Sequence, residues 1–139
     1  MQTETHTRTP VPWTPPRGAD IEMVEVGPYW DAVRAPATVG ERALELLGRR
    51  AGAVIADYSL MYWLVHPQDA DYWPRLEGVQ VLTPDSGETT YVGVPPVSHT
   101  SGPRLHWRLP VGPRHYFTNG ELLYEALARA IMAEEEAVR

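Results

Sequence analysis

The chain has 139 residues, a formal net charge of −6 and no cysteine. This length suits a single domain, and the absence of cysteine excludes disulfides, thiolate metal sites and cysteine nucleophiles. The 12 Lys and Arg positions are all arginine. Proteins that coat nucleic acid without sequence preference neutralise phosphates with many positive charges. The acidic balance therefore disfavours such coating, although it is compatible with one localised arginine-lined site.

The N-terminal residues 1–18 are rich in threonine and proline, which predicts a flexible, extended arm with Trp13 as a residue suited to docking on the body or on a partner. The sequence contains neither a secretory-signal pattern nor the roughly 18 apolar residues in a row that a membrane span needs. These features predict a cytoplasmic protein with no membrane contact, in which residues 19–139 form one domain.

Short apolar runs predict the strands of one sheet. Ile21–Val26 shows the alternation of a half-buried strand, and Tyr29–Ala35 is predicted as a second strand. Leu60–Val65 is apolar on both faces, which is typical of a central strand covered on each side. A short helical turn is predicted over Pro67–Trp73. The remaining predicted strands are Ala53–Ala56, Val79–Leu82, Tyr91–Val94 and Leu105–Leu109.

Two helices are predicted, each from a capping box in which a Thr hydroxyl and a Glu carboxylate three residues later bond free main-chain N–H groups. Thr38 and Glu41 open the first helix, which Gly52 ends. Thr118 and Glu121 open the second. The residues predicted to form their apolar stripes are Leu44, Leu47 and Ala51, then Leu123, Leu127, Ala130 and Ile131. This order of elements predicts an α+β fold with a single mixed or mostly antiparallel sheet and two main helices.

The usual catalytic patterns are missing from the sequence. A two-metal phosphoryl-transfer site needs converging carboxylates, which two Asp at positions i and i+2 of a strand would provide. Asp31 has Val33 at that spacing, and Asp69 and Asp71 lie in a polar loop. The five histidines lack the spacing of a helical metal site. The sequence therefore predicts no catalytic residues, no metal and no cofactor.

One segment resembles a known family. Tyr91–Gly102 runs from a strand through Pro95 and Pro96 into a loop with Ser, His and Ser-Gly, and Leu105-His106-Trp107 follows. This pattern is similar to a signature of the bifunctional DNA primase/polymerase N-terminal (prim-pol) family, in which a strand enters two prolines, such a loop and an aromatic strand ending in Trp. The resemblance implies a prim-pol-like core.

The same resemblance implies where the catalytic residues of the family would lie. Anchoring on Pro36 places the two metal-binding Asp of the family at Val33 and Ala35, its His at or near Leu60, and a later Asp near Gln80. None of these positions carries the residue type that the family needs. The resemblance therefore implies the fold without the activity.

Together these observations predict a non-catalytic binding or regulatory protein on a degenerate prim-pol-like core, acting through a protein partner or self-association. The alternative is a nucleotide or single-stranded nucleic-acid binding module, in which arginines hold phosphates and Trp107 or Trp63 stacks on bases. Its candidate binding residues are Arg34, His99, Arg104, His106 and Arg108. A third hypothesis, an enzyme with a site assembled from dispersed residues, requires His106 to lie against Asp31 or Asp57.

Overall fold

The computed structural model describes residues 13–86, 90–112 and 116–137. Within these ranges the chain forms seven strands and two α-helices. The strands are β1 (Glu22–Glu25), β2 (Asp31–Pro36), β3 (Val54–Asp57), β4 (Leu60–Val65), β5 (Gln80–Leu82), β6 (Tyr91–Val94) and β7 (His106–Leu109). The helices are α1 (Ala37–Leu47) and α2 (Gly120–Ala137). The predicted α+β class with two main helices is confirmed.

The strands form two antiparallel sheets. Five of them pair in the order β5-β2-β4-β3-β7, so β4 is the middle strand of the larger sheet. This confirms that Leu60–Val65 is a central strand. β1 and β6 pair only with each other and form a separate small sheet. The small sheet was not anticipated as a unit of its own, because strand patterns in a sequence do not say which strands pair.

Alternate residues of the central strands point into two different hydrophobic cores. On one face, Val33, Met61 and Trp63 pack under α1 and α2. On the other face, Ala32 and Leu64 pack under the small sheet. The small sheet contributes Val24, Val92 and Val94 to this second core, and Val26, which directly follows β1, also belongs to it. The larger sheet is therefore covered on both faces, by helices on one side and by two strands on the other.

The start and end of α1 differ from the prediction. Pro36 occupies the N-cap position in an extended conformation, and no side chain caps the helix. The predicted capping box is wrong because β2 runs directly into α1, which leaves Thr38 inside the first turn. Gly48, with a φ of 56°, ends the helix before Gly52. The predicted apolar stripe is buried, since Leu44, Leu47 and Ala51 all belong to the helix-side core.

The first turn of α2 is capped by other residues than predicted. The Asn119 side-chain oxygen accepts the N–H of Leu122 at 3.0 Å. A carboxylate oxygen of Asp69 accepts the N–H of Gly120 at 2.7 Å. Thr118 is fully buried instead and does not cap the helix. The predicted apolar stripe is confirmed, because Leu123, Leu127 and Ala130 are buried and Ile131 packs against the same core.

Thr118 joins three separate parts of the chain. Its hydroxyl accepts the N–H of Gly52 at 2.8 Å, and its own N–H donates to Leu64 of β4 at 3.1 Å. A Cβ at Gly52 would lie 2.5 Å from the carbonyl carbon of Phe117, so the two segments touch through their main chains. Gly52 is therefore required for this close approach and not for ending a helix.

Part of the predicted arm lies on the body of the protein. Trp13 is half-buried and Pro15 is buried. The Trp13 ring packs edge-on against Trp30, with centroids 5.5 Å apart, and Val97 donates its N–H to the carbonyl of Pro16 at 2.9 Å. Residues 1–12 of the predicted flexible arm lie outside the described residues.

We expect Thr118→Val to lower the free energy of unfolding by about 1–3 kcal/mol, because it leaves the buried N–H of Gly52 without an acceptor while preserving the side-chain shape. Thr38→Val is the matched control and should change stability by less than about 0.5 kcal/mol, since the exposed Thr38 caps nothing. Urea denaturation of both variants measures the difference. Equal losses at the two positions would contradict the structural role of Thr118.

Candidate functional site

The outer face of the small sheet carries an apolar patch, here called the outer patch and defined by Ile21, Met23, Tyr91 and Gly93. Val24 points inward in β1, so its neighbour Met23 points outward. Gly93 lies opposite Met23 in the register. A Cβ on Gly93 would meet Leu105 at 3.3 Å, and both Ile21 and Met23 at 3.7 Å. The side chains of Leu105, Ile21 and Met23 therefore lie close together above the main chain of Gly93.

The outer patch is open to solvent. Ile21, Met23 and Tyr91 are 52%, 60% and 52% exposed. Scattered apolar residues on a surface need no explanation, whereas contiguous exposed apolar groups mark interaction sites. Met23 and Tyr91 belong to one face of the small sheet, and Ile21 directly precedes β1. The patch is therefore a candidate interaction surface.

A groove of about 410 Å³ lies beside β1. All four residues of β1 line it, from Glu22 to Glu25, together with Trp13, Thr14 and Tyr29. Because Met23 belongs to both features, the groove and the outer patch form one continuous surface.

Trp13 gives the groove a fixed wall. Its ring lies 6.1 Å from that of Tyr116 and 6.5 Å from that of Tyr29. The Tyr116 hydroxyl donates to the main-chain carbonyl of Trp13. Burial raises the pKa of the Tyr116 hydroxyl, which keeps it protonated as a donor. The groove therefore exists before any partner arrives.

The groove is acidic. Its lining residues include Glu22 and Glu25 and no basic residue. Both glutamates are exposed, and in the described part of the chain neither has a hydrogen-bond or ion-pair partner. Unpaired carboxylates at an accessible groove favour a cationic ligand group.

The residues predicted to bind nucleotide or nucleic acid do not form one site. Arg34 lies on β2 and Arg108 on β7, which are three strand spacings apart, roughly 14 Å. Arg108 faces the helices, since its guanidinium makes two 2.9 Å hydrogen bonds to Glu41 of α1. Arg34 follows Val33 and so points to the opposite face, where it bonds Gln80 of β5. The two arginines therefore cannot hold one phosphate together.

The other three predicted binding residues lie near each other along the chain and on the same edge of the sheet. The His99 carbonyl accepts the N–H of Trp107 at 2.8 Å, which ties the loop to β7. His106 contacts the Arg104 carbonyl through Nδ1 at 2.6 Å. His99 and Arg104 are exposed and His106 is half-buried. His106 makes no hydrogen bond to either aspartate that the dispersed-enzyme hypothesis requires.

The two prolines and the tryptophan of the prim-pol-like signature take part in hydrogen bonds that stabilise the loop between β6 and β7. Trp107 Nε1 donates to the buried carbonyl of Pro95 at 2.9 Å. The N–H of His99 donates to the Pro96 carbonyl at 3.0 Å. These bonds fold the loop back onto β7. In this chain the signature therefore holds a strand and a loop together.

The positions that the resemblance assigns to the catalytic residues of the family lie on both faces of the larger sheet. Val33 and Ala35 are fully buried beneath the helices. Leu60 lies on the opposite face, because the next residue, Met61, points into the helix-side core. Gln80 is exposed and pairs with Arg34 on that opposite face. The four positions do not line one cleft.

Asp31 is a buried carboxylate at the start of β2. It is 1% exposed, and its Oδ2 accepts the N–H of Gln68 at 2.8 Å. Its Oδ1 has no partner among the described residues. Burial raises the pKa of Asp31 to about 6 against the pull of the Gln68 hydrogen bond, and the charges of Asp71 and Asp85 add to the rise.

Asp31 has no companion ligands for a metal ion among the described residues. Across residues 13–86, 90–112 and 116–137, no three His, Asp or Glu side chains are placed to hold a metal ion. Within the same ranges, no helix is both long and apolar enough to cross a bilayer.

Sequence reasoning missed the outer patch and the groove. The signal was present, because Ile21, Met23 and Glu25 share one face of the strand, and Val24 and Val26 on the other face are buried. Such alternation predicts an exposed face, but here that face is apolar at two of its three positions. An apolar residue at a position where the strand pattern expects a polar one was the usable clue.

Comparison of the chain with protein-family models, with curated proteins and with solved structures gives no match. The prim-pol resemblance therefore stays a prediction, and the geometry of the site is the basis for a functional proposal.

We expect Asp31→Asn to change how stability depends on pH. A carboxylate whose pKa is raised from 3.8 to about 6 stabilises the fold below the lower value, and this contribution is lost as pH rises through the upper one. The variant lacks this loss, so its stability relative to the parent should increase by about 1–3 kcal/mol between about pH 4 and about pH 8. Asp71→Asn removes one of the charges that raise the pKa of Asp31, so it should change the pH profile in the same direction but by much less, because burial is the larger cause. Parallel pH profiles for Asp31→Asn and the parent would contradict the raised pKa.

Proposed function

We propose that the chain is a non-catalytic cytoplasmic binding module that recruits a protein partner through the outer patch of its small sheet. The observation that carries this proposal is the exposure of Ile21, Met23 and Tyr91 on one face of that sheet. Methionine and tyrosine are enriched in protein interfaces, where each offers a large contact area. The adjacent groove extends the surface beyond these three residues.

The distribution of side chains supports binding over catalysis. Acid–base and nucleophilic chemistry needs groups within hydrogen-bond reach of each other in a pocket. The most perturbed carboxylate, Asp31, is buried in the body of the protein and bonds main chain. The groove holds Glu22 and Glu25 without a histidine, serine or lysine among its lining residues.

The charge pattern favours protein over nucleic acid as the partner. Arg108 is engaged with Glu41, and Arg34 with Gln80. The groove beside the outer patch has two unpaired carboxylates, which repel phosphates. Nucleotide or single-stranded nucleic-acid binding is accordingly the second candidate, and the following experiments distinguish it.

Photo-crosslinking tests the proposed surface. A photoreactive amino acid at position 23 should capture a protein in the cells that make this chain, because Met23 lies in the outer patch. Met132 on α2 is the matched control, since it is another methionine with the same 60% exposure. We expect a discrete protein adduct from position 23 and none from position 132. Equal labelling at both positions, or an adduct that nuclease removes, would contradict the proposal.

A primer-extension assay tests the absence of catalysis. The purified chain, given a primed template, nucleoside triphosphates and Mg²⁺ or Mn²⁺, should add no nucleotide, because no three His, Asp or Glu side chains of the described residues are placed to hold a metal ion. Extended primer that persists on repurification, and that is lost together with the folded protein on heating, would overturn the proposal.

A further inference from the structure

β1 has one paired edge and one open edge. The N–H of Val26 donates to the Thr90 carbonyl at 2.9 Å, which makes these two residues a hydrogen-bonded pair of the antiparallel ladder. Such pairs alternate along a strand, so the register directs the main-chain groups of Val24 to β6 as well. The N–H and C=O groups of Met23 and Glu25 therefore point away from β6. Among the described residues they have no hydrogen-bond partner.

The open edge of β1 runs along the groove. All four residues of β1 line it, and Trp13, Thr14 and Tyr29 provide the rest of the lining. A neighbouring strand in a sheet lies about 4.8 Å from its partner. An extended chain in this groove would therefore meet four free main-chain groups, from Met23 and Glu25, at the spacing of a β ladder.

The charge of the open edge selects the occupant. Glu22 and Glu25 flank the free main-chain groups and have no partner of their own within the described chain. A second copy of β1 would bring four glutamates onto one short ladder without a basic residue in either strand. Like charges across a ladder are destabilising. A segment that carries arginine or lysine is complementary instead.

We infer that the open edge of β1 binds an extended, arginine-bearing segment of a protein partner by strand addition. This inference rests on the proposed function and specifies how the partner engages the same sheet. In strand addition, main-chain hydrogen bonds supply affinity and side chains supply specificity. The small sheet gains a third strand.

The register defines the side-chain pattern of this segment. Glu22 and Glu25 are three residues apart in β1, so their side chains leave opposite faces of the strand. A segment with arginine at two positions three residues apart places one guanidinium against each carboxylate. Arginine fits better than lysine because its planar group also stacks on aromatic rings such as Trp13 and Tyr29 in the groove.

A labelled peptide of about eight residues, rich in valine and threonine and with two arginines three residues apart, is the probe. On titration into the full chain we expect the amide protons of Met23 and Glu25 to become protected from hydrogen exchange. The amide of Val24 already bonds β6 and should not change. This contrast between neighbouring amides distinguishes strand addition from charge attraction, which protects no particular amide.

Four matched changes test the mechanism by fluorescence anisotropy. Methylating alternate peptide nitrogens on the side that faces β1 should weaken binding about tenfold or more, because each lost hydrogen bond is left unreplaced. Met23→Pro should weaken it similarly, since proline is tolerated where the N–H faces an open edge. A peptide with its arginines two residues apart should bind severalfold more weakly, because both guanidinium groups then leave the same face of the strand. The double variant Glu22→Gln, Glu25→Gln should weaken binding to a similar extent, because it removes both carboxylates.

Each outcome decides between the two proposals. Peptide binding that ignores nitrogen methylation, or protection that spares Met23 and Glu25, overturns strand addition while leaving the outer patch as a partner surface. Failure of the peptide to bind at all also overturns strand addition. A missing protein adduct from position 23 in cells overturns the proposed function itself. The methylated peptide keeps the test valid if Met23→Pro fails to fold.

Discussion

Strand β4 is apolar on both of its faces, and the layers of the molecule follow from the need to cover each one. Met61 and Trp63 point to the helices, while Leu64 points to the other side. Burying an apolar side chain of this size contributes about 1.5–3 kcal/mol relative to exposure, so neither face can be left open in water. One face receives α1 and α2. The opposite face needs a second covering layer.

The second covering layer consists of only two strands, and the candidate site lies on the parts of it that remain uncovered. This face is covered by three valines of β1 and β6, by Val26 directly after β1 and by the ring of Trp13. A layer made of only two strands has an outer face that nothing covers and edges that no third strand pairs. Exposed strand edges invite pairing with other chains, and proteins commonly place charges there to limit it. Glu22 and Glu25 have that position in β1. They disfavour self-pairing and favour a basic partner by the same charge.

The sequence predicted the elements better than it predicted their ends. Strand positions and the buried stripe of α2 follow from periodicity, which reports burial directly. The capping boxes were wrong for two reasons. β2 runs directly into α1, which leaves Thr38 in the first turn, and a tertiary contact engages Thr118. Thr118 was needed as a buried acceptor for Gly52, and Asn119 was at hand to cap α2. A spacing rule cannot weigh such competition, since Gly52 and Thr118 are 66 residues apart.

The candidate site was less predictable than the fold for a related reason. Arginine and histidine residues were predicted to bind phosphate because of their chemical type. In the structure, however, Arg108 forms an ion pair with Glu41, and Arg34 donates a hydrogen bond to Gln80. Both partners lie far away in the sequence. The open edge of β1 depends likewise on which strands pair, and this became visible only with the register. Met23 and Glu25 offer their main chain, which carries no residue-type signal at all.

The prim-pol-like signature can be explained without any appeal to catalysis. Its two prolines and its tryptophan are joined by the hydrogen bond from Trp107 Nε1 to Pro95, and His99 bonds Pro96. A buried indole N–H that loses its acceptor costs about 1–3 kcal/mol, so the bond from Trp107 to Pro95 contributes to the stability of the fold. In this chain the segment is therefore explained by its structural contacts, while Val33 and Ala35 belong to the helix-side core.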